Sequence, residues 1–438
     1  MEKLGKKGIS LWKKAKKIIP GGTQLLSKRS ETFLPDQWPS YFQSAKGIKI
    51  IDLDGNSFLD MSIMGVGTCI LGYADEDVNR AVKKVIKTGS ISTLNSPEEV
   101  ELAELLLKLH PWAGMVRYAR TGGEAMSIAV RIARAFSGKD QIAFCGYHGW
   151  HDWYLSANLA NDKSLDGQLL PGLKPLGVPR ALKGTAIPFN YNNIDELKKI
   201  IKANDIGAVI MEPVRHHEPE KNFLANVRKI ANQIGAVLVF DEITSGWRMH
   251  PGGAHQKYKI TPDVVVYAKA MSNGFPMAAI LGRKKIMDVA QESFISSTYW
   301  TDRIGPAAAI ATIKKIQKSN VPRHLCKIGN QIKSGWKKLA DQHNLNVSIS
   351  GIPPLPMFAF NYPNSQVLHT LFTQEMLKQG FLASRSVYVS FSHRRENIEK
   401  YLKSVDKVFG VIKTAIDMNN ASDLLMGPIA HEGFKRLT

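Results

Sequence analysis

The sequence is poor in everything that would staple a chain covalently or hold it in a bilayer. Its 438 residues include three cysteines, Cys69, Cys145 and Cys326. They are widely spaced and form no CxxC pair, which argues against a disulfide scaffold and a structural zinc site and fits a reducing cytosol. No apolar run approaches the ~20 residues a membrane span requires. The lysine-rich start is followed by no apolar block, so no signal peptide is expected. There is no internal repeat and no low-complexity segment. Acidic residues are scarce: 38 Asp and Glu face 58 Lys and Arg, a net charge of +20. Such an excess suits an anionic substrate, an anionic membrane surface or nucleic acid. Nucleic-acid signatures, such as a recognition-helix pattern or an RNP aromatic pair, are missing, so no nucleic-acid partner is expected. The densest basic run is Lys3 to Lys17, where Leu4, Leu11, Ala15, Ile18 and Ile19 recur at roughly helical spacing. It reads as a surface helix docked by its apolar face, with membrane attachment as the alternative. The whole predicts a cytoplasmic protein without a membrane span.

What is present is an ordinary globular composition, 44% hydrophobic and 22% charged, on a chain long enough for two or three domains. Ile19-Pro20-Gly21-Gly22 closes the first helix, and Asp54-Gly55-Asn56 between Ile48–Leu53 and Phe58–Met61 is a strong hairpin signal. Met64 to Leu71, with Gly65 and Gly67, reads as a loop. Ser96-Pro97-Glu98-Glu99 predicts a capping box that starts a helix running to about Leu109. Strands are expected at Gln141–Phe144, Ala186–Phe189 and Ala208–Met211, and helices at Ile194–Lys202 and Phe223–Ile234. That alternation is a βα repeat, hence a mainly parallel sheet covered by helices. After Ile304 one long helical pattern runs toward His343, followed by short strands around Val347–Ser350, Met357–Asn361 and Val387–Phe391. The change of rhythm predicts an N-terminal segment over 1–75, a large domain over 76–310, and a small α+β domain over 311–438.

Two strand ends organise the middle of the chain. Ala236-Val237-Leu238-Val239-Phe240 runs into Asp241 and Glu242, and Val264-Val265-Val266-Tyr267-Ala268 runs into Lys269. Unbroken apolar runs of this length suit strands buried on both faces of a parallel sheet, and ligands of such sheets sit beyond the carboxyl ends of the strands. One edge of the sheet would thus receive a carboxylate and an amine. An enclosed amine can lose its proton and attack a carbonyl carbon, while a carboxylate can hold a proton on a pyridine nitrogen. Those are the groups that a pyridoxal 5'-phosphate (PLP) enzyme needs most. The plain alternative is two buried strands, each followed by a solvated charge.

Three further features accompany this pair. Thr121-Gly122-Gly123-Glu124 opens an Ala- and Arg-rich helix, a suitable phosphate seat if it is more than a turn. Tyr147-His148-Gly149 follows a strand, and either ring could lie flat on an aromatic cofactor, unless it belongs to an aromatic packing loop with Trp150, His151 and Trp153. Cys145 reads as a small buried filler.

These residues lie in segments that resemble the class III (ω-type) PLP-dependent aminotransferases, of fold type I, and more narrowly the glutamate-1-semialdehyde 2,1-aminomutase branch. The resemblance runs from IIPGG (Ile18–Gly22), DLDGNSFLDM (Asp52–Met61) and ILGYADEDV (Ile70–Val78) through TGGEAMSIAVRIAR (Thr121–Arg134) and YHG (Tyr147–Gly149). Its most specific pieces are MEPV (Met211–Val214), FDEITSGWR (Phe240–Arg248) and YAKAMSNGFPMAA (Tyr267–Ala279), with VYVSFSHRRENIEKYLKSVD (Val387–Asp406) near the end. The resemblance implies a seven-stranded-type, mainly parallel sheet sandwiched by helices, with the smaller α+β domain built from both termini. It implies that Lys269 binds PLP covalently and later shuttles the proton, and that Asp241 pairs with the pyridine nitrogen. Ile243 and Tyr147 would pack on the two ring faces, and Thr121, Gly122 and Gly123 would hold the phosphate. Thr298, in SSTYW, would donate a phosphate ligand to a second subunit, making a homodimer with shared active sites. Glu212 would face the ring's hydroxyl side, and Arg29 lies about one position from the arginine that grips a substrate carboxylate in the aminomutase.

The departures from the family pattern surround the substrate and the phosphate. The seat reads TGGE where the family has SGTE or SGSE, so a hydroxyl ligand is missing at Gly123. Arg215-His216-His217 replaces an AGN-like run, AMSNGFPMAA replaces a glycine-rich run, and Trp300 to Pro306 replaces SGNP. The expectation is an aminotransferase that passes an amino group from a small-molecule amino donor to an aldehyde or ketone acceptor, acidic, phosphorylated or sugar-derived. Arg215, His216 and Trp153 join Arg29 as candidate substrate contacts, and no metal is expected. An intramolecular aminomutase is the alternative. A non-catalytic anion- or membrane-binding protein on the same fold stays open, with the intact Lys269 and Asp241 against it.

Overall fold

The computed structural model describes residues 5–434, so Lys3 and Leu4 of the expected basic helix lie outside the described residues. The chain divides into two compact units, residues 5–75 with 323–434, and residues 76–322. The helix Ile304–Lys318 belongs to the second of these. A boundary at residue 310 would cut it, although nine of its residues are buried, from Gly305 to Ile316.

The larger unit is an α/β layer structure around seven strands. They are β1 (Met115–Ala119), β2 (Gln141–Cys145), β3 (Ala186–Pro188), β4 (Ile206–Met211), β5 (Val237–Asp241), β6 (Val264–Tyr267) and β7 (Ala278–Gly282). Their order across the sheet is β1-β7-β6-β5-β4-β2-β3. Strand β7 runs antiparallel to both its neighbours, and every other pair is parallel. Every residue of β4, β5, β6 and β7 is buried. That explains why these strands read as solid apolar runs: with helices on both faces there is no solvent side to carry polar residues.

The helix α1 (Gly122–Ser137) shows how closely the layers approach. It buries Ala125, Met126, Ile128, Ala129, Val130, Ile132 and Ala133, a stripe that is largely small and branched. Its start is fixed by a capping box in which the Thr121 hydroxyl accepts from the Glu124 N–H at 3.4 Å and the Glu124 carboxylate accepts from the Thr121 N–H at 2.9 Å. Its end is set by Gly138 in the left-handed region. The capping box expected at Ser96 does not form. The helix Pro97–Leu109 starts there without a side-chain cap, on the fixed φ of Pro97.

Register decides where the strand ends fall. Val239, Phe240 and Asp241 of β5 stand beside Val264, Val265 and Val266 of β6. Asp263 ties the opposite ends of these strands. Its Oδ2 accepts from the Leu238 N–H at 2.9 Å and from Arg228 at 2.7 Å, while Oδ1 accepts from Arg283 at 2.9 Å, just past β7.

The smaller unit joins both ends of the chain. Phe42–Lys46, Lys49–Asp52 and Ser57–Met61 form an antiparallel meander, to which Phe381–Ala383 adds in parallel. The hairpin is held by Asp52, whose Oδ1 accepts from the Asp54 and Asn56 N–H groups at 2.9 and 2.8 Å. The pattern after Ile304 resolves into two helices, Ile304–Lys318 and Val321–Gln342, broken where Asn320 turns left-handed. Val387–Phe391 is not a strand. The N–H groups of Val387 and Val389 go to the carbonyls of Pro356 and Pro354, which have no N–H to return, and those of Tyr388 and Phe391 go to Ser62 and Ile70, so no ladder forms. The helix Lys6–Ile18 docks by Gly8, Trp12 and Ala15, while Leu11 and Ile18 stay exposed. The Trp12 indole N–H donates to Glu31 at 3.0 Å, which sets that rotation. Among the described residues no helix is long and apolar enough to cross a membrane.

Replacing Asp263 by alanine strands the half-buried Arg228 and the Leu238 N–H together. The expected cost is about 3 kcal/mol, read as a shift of the denaturant midpoint for the cofactor-free protein. Asp263→Asn, which keeps part of the bonding, is expected to lie between Asp263→Ala and the parent.

Candidate active site

The carboxyl ends of β5, β6, β4 and β2 deliver the polar groups. Asp241 closes β5 and is buried. Its Oδ1 accepts from the Ile243 N–H at 3.0 Å, and its Oδ2 meets Nδ1 of His148 at 2.8 Å. The other ring nitrogen of His148 contacts the Cys145 carbonyl at 3.1 Å. Both ring nitrogens are thus engaged within the protein. His148 therefore does not lie open to a cofactor, one of the two readings of the Tyr147-His148 pair. It is buried behind Asp241 and orients it. Glu242 alternates to the other side of the strand, where it accepts from the Ala254 and His255 N–H groups and from Nδ1 of His255 at 2.7 Å.

Lys269 follows β6 by two residues, with Ala268 extended and Lys269 itself left-handed at φ 45°. A non-glycine residue held there costs on the order of 1–3 kcal/mol, and such strain clusters at functional sites. Its Nζ donates to the Thr244 hydroxyl at 2.9 Å. Burial of the ammonium, reinforced by the positive charge of Arg215 and opposed by Glu212, pushes the amine down to about 7. Part of the side chain stays accessible, as an amine that must meet a reactant requires.

Glu212 lies just past β4. It accepts from the Tyr147 N–H at 3.1 Å and from Nη1 of Arg215 at 3.0 and 3.2 Å. Arg215 is thus paired within the site. His216 and His217 line a cavity of about 200 Å3 with Gln168, Tyr191, Glu212 and Arg215. Tyr147 and Ile243 are partly buried and pack against the same core cluster.

The N-terminus of α1 adjoins this group. A Cβ on Gly122 would stand 2.9 Å from Cδ1 of Ile243, so only glycine lets the helix start come this close. The capping box uses the N–H groups of Thr121 and Glu124, and those of Gly122 and Gly123 remain for a ligand. Thr298 is exposed on the turn Thr298–Thr301, which Arg120 anchors through the Trp300 carbonyl at 2.9 Å. Trp153 is directed elsewhere. Its ring stacks on His148 and walls a cavity with Ser127, Arg131 and Arg134 on the outside of α1. Arg29 belongs to the other unit, where its guanidinium lies 5.7 Å from the Phe434 ring centre. Among the described residues no group of His, Cys, Asp and Glu could hold a metal ion.

Reading the sequence missed His148 as the support of Asp241, and missed Thr244 as the partner of Lys269. The TSG run after Asp241-Glu242 was the available signal for the second.

A near-neutral amine, a buried carboxylate and a glycine-lined helix start, set on one edge of a mainly parallel sheet, suit PLP. Fold and site define a PLP-dependent enzyme of the transaminase type. The chain belongs to the aminotransferase class-III family, whose model matches residues 35–408. It is 31% identical to the 3-aminobutyryl-CoA aminotransferase of Cloacimonas acidaminovorans, over 92% of this chain and 98% of that one. It is 32% identical to the glutamate-1-semialdehyde 2,1-aminomutase of Methanothrix thermoacetophila, over 90% and 94%. The FumI protein of Sphingopyxis sp. MTA144, solved in its PLP form, superposes with a TM-score of 0.85 at 24% identity, covering 96% of this chain and all of that one.

The depressed amine has a direct readout. Burial disfavours the charged form, so Lys269 becomes neutral, and nucleophilic, above about pH 7. Trace acetylation of the cofactor-free protein, mapped by mass spectrometry, is expected to show Lys269 labelling rise through about pH 7. Exposed lysines should follow the ordinary range near 10.4.

Proposed function

We propose that the protein is a transaminase that takes an amino group from a small-molecule donor and delivers it to an aldehyde or ketone. The observation that carries this reading is the amine of Lys269, lowered to about 7, just past the strand next to the one that ends at Asp241. PLP, when bound, supplies an electron sink for the carbon beside the substrate nitrogen. Lys269 holds the cofactor through its amine and, once released, takes and returns the proton at Nζ. A base tuned near the working pH suits both directions of transfer. Thr244 keeps that amine oriented. Asp241, fixed by His148, would hold the proton on the pyridine nitrogen of bound PLP. Tyr147 and Ile243 would flank its ring, and Glu212 would stand toward its hydroxyl. Thr121, Gly122 and Gly123 would take the phosphate at the start of α1.

The assembly we infer is a homodimer in which Thr298 completes the phosphate seat of a second copy. Its support is the exposure of the segment: Phe294 and Tyr299, on either side of Thr298, are 87% and 72% exposed. The acceptor we infer is anionic, on the strength of Arg215, His216 and His217 at the cavity beside Glu212. The two curated relatives act on different substrates by name, so their likeness does not select one. An intramolecular aminomutase is the second reading, favoured by the 32% identity to that enzyme. Against it stand Arg215-His216-His217 and the AMSNGFPMAA run, where the aminomutase pattern differs.

Donor dependence separates the two. The enzyme is loaded from an amino donor, freed of excess donor, and offered a panel of aldehydes and keto acids. A transaminase yields one amino product per site and then stops until donor returns. Continued turnover of a single amino aldehyde with no donor would establish the mutase. Lys269→Ala is expected to lower either activity by about 10^2- to 10^4-fold or more.

A further inference from the structure

The phosphate seat has no side chain at Gly123, and another residue fills the space. A Cβ built on Gly123 would lie 3.0 Å from both Nε2 and Cδ2 of His151, closer than side chains pack without displacement. The imidazole therefore occupies the volume that a serine or threonine at 123 would take. Nε2 of His151 is buried and has no hydrogen-bond partner within the protein. A buried ring nitrogen in that condition costs free energy unless a ligand meets it.

The surroundings hold the ring in place. A Cβ on Gly149 would come within 3.3 Å of the Gly123 Cα, so the Tyr147–His151 loop lies directly on the helix start. Trp150 packs on His151 with ring centres 4.4 Å apart. Its own indole nitrogen stands 3.6 Å from the same Cβ position, but the side chain is 71% exposed. The carboxylate of Glu124 is turned back onto the N–H groups of Arg120 and Thr121, away from the free N–H groups of Gly122 and Gly123. His151 thus brings a buried, unpartnered ring nitrogen to the start of α1.

We infer that Nε2 of His151 donates a hydrogen bond to the cofactor phosphate, in place of the hydroxyl that residue 123 lacks. Gly123 and His151 form one exchange made at two positions: the large ring fits only because the small residue makes room. This rests on the seat proposed above at Thr121–Gly123.

The test is a double-variant cycle on the full chain, reading the PLP dissociation constant by equilibrium dialysis and the 31P signal of the bound phosphate. His151→Ala is expected to weaken PLP retention about 10- to 100-fold. His151→Gln, which keeps a donor of similar reach, should stay within a few-fold of the parent, separating the lost donor from lost packing. Trp150→Phe should change nothing. Gly123→Ser alone should weaken retention because its Cβ meets the ring, while Gly123→Ser with His151→Ala should recover most of the loss and shift the 31P signal. Unchanged retention in His151→Ala, or a double variant no tighter than His151→Ala, overturns the inference. Thr121→Ala distinguishes the two levels. If it loosens PLP while His151→Ala does not, the seat stands and His151 is idle. If neither loosens PLP, the seat itself is wrong.

Discussion

The pairing of two buried strands is the constraint on which the site depends. Asp241 stands beside Val266, so the chain after β6 needs only a short turn to bring an amine to the edge where the carboxylate emerges. Slipping that register by one residue would turn Asp241 toward the side that Glu242 occupies and would present the wrong carboxylate to the site. The apolar run on each strand makes such a slip expensive, and Asp263 ties the starts of both strands to Arg283 beyond β7. The left-handed backbone at Lys269 is the local consequence. The chain leaves the sheet abruptly, and the surrounding packing carries the strain.

Enclosure has a second consequence, for charge. Four ionisable groups, Arg215, Glu212, Arg248 and Asp241, lie close enough to act on the Lys269 amine. Burial dominates, and the larger of the two positive influences, Arg215, works in the same direction as burial. Arg215 is paired with Glu212 at 3.0 Å, so its influence on the amine is moderated by the carboxylate it holds. A ligand that drew Arg215 away from Glu212 would alter the charge Lys269 feels. The site is thus an electrostatic unit in which Lys269, Asp241, Glu212 and the two arginines act on one another.

How much of this was legible in the sequence follows from locality. The strands β4, β5 and β6, the Asp54-Gly55-Asn56 turn and the helix beginning at Pro97 were legible because each is announced by contiguous residues. Asp241 and Lys269 were legible because an apolar run that stops on a charge marks a strand end. What stayed hidden depends on partners distant in the chain. His148 meets Asp241 across 93 positions, and no spacing rule connects them. Trp153, aromatic and near the Tyr147 loop, suggested a substrate contact, yet its stacking on His148 turns it to the outer side of α1. Val387–Phe391 has the composition of a strand, but it lies against Pro354 and Pro356, which have no N–H to return to it. The docked face of the first helix was set by Trp12 reaching Glu31, a contact that outweighed the periodicity of Leu11 and Ile18.

Departures from a family pattern gain meaning when the fold shows what stands opposite them. Gly123 in isolation is a loss: a residue with no hydroxyl, where the resembling enzymes have one. Beside His151 it is half of a steric pair, because the ring lies 3.0 Å from where any Cβ would project. Neither residue could have adopted its present identity alone without a cavity or a clash. The same logic separates Gly122, whose missing Cβ is demanded by Ile243, from Gly123, whose missing Cβ is demanded by a ring on another loop. Two adjacent glycines in one motif therefore answer to different constraints. The first keeps the helix start close to the residue that flanks Asp241, and the second makes room for a donor brought in from the end of β2.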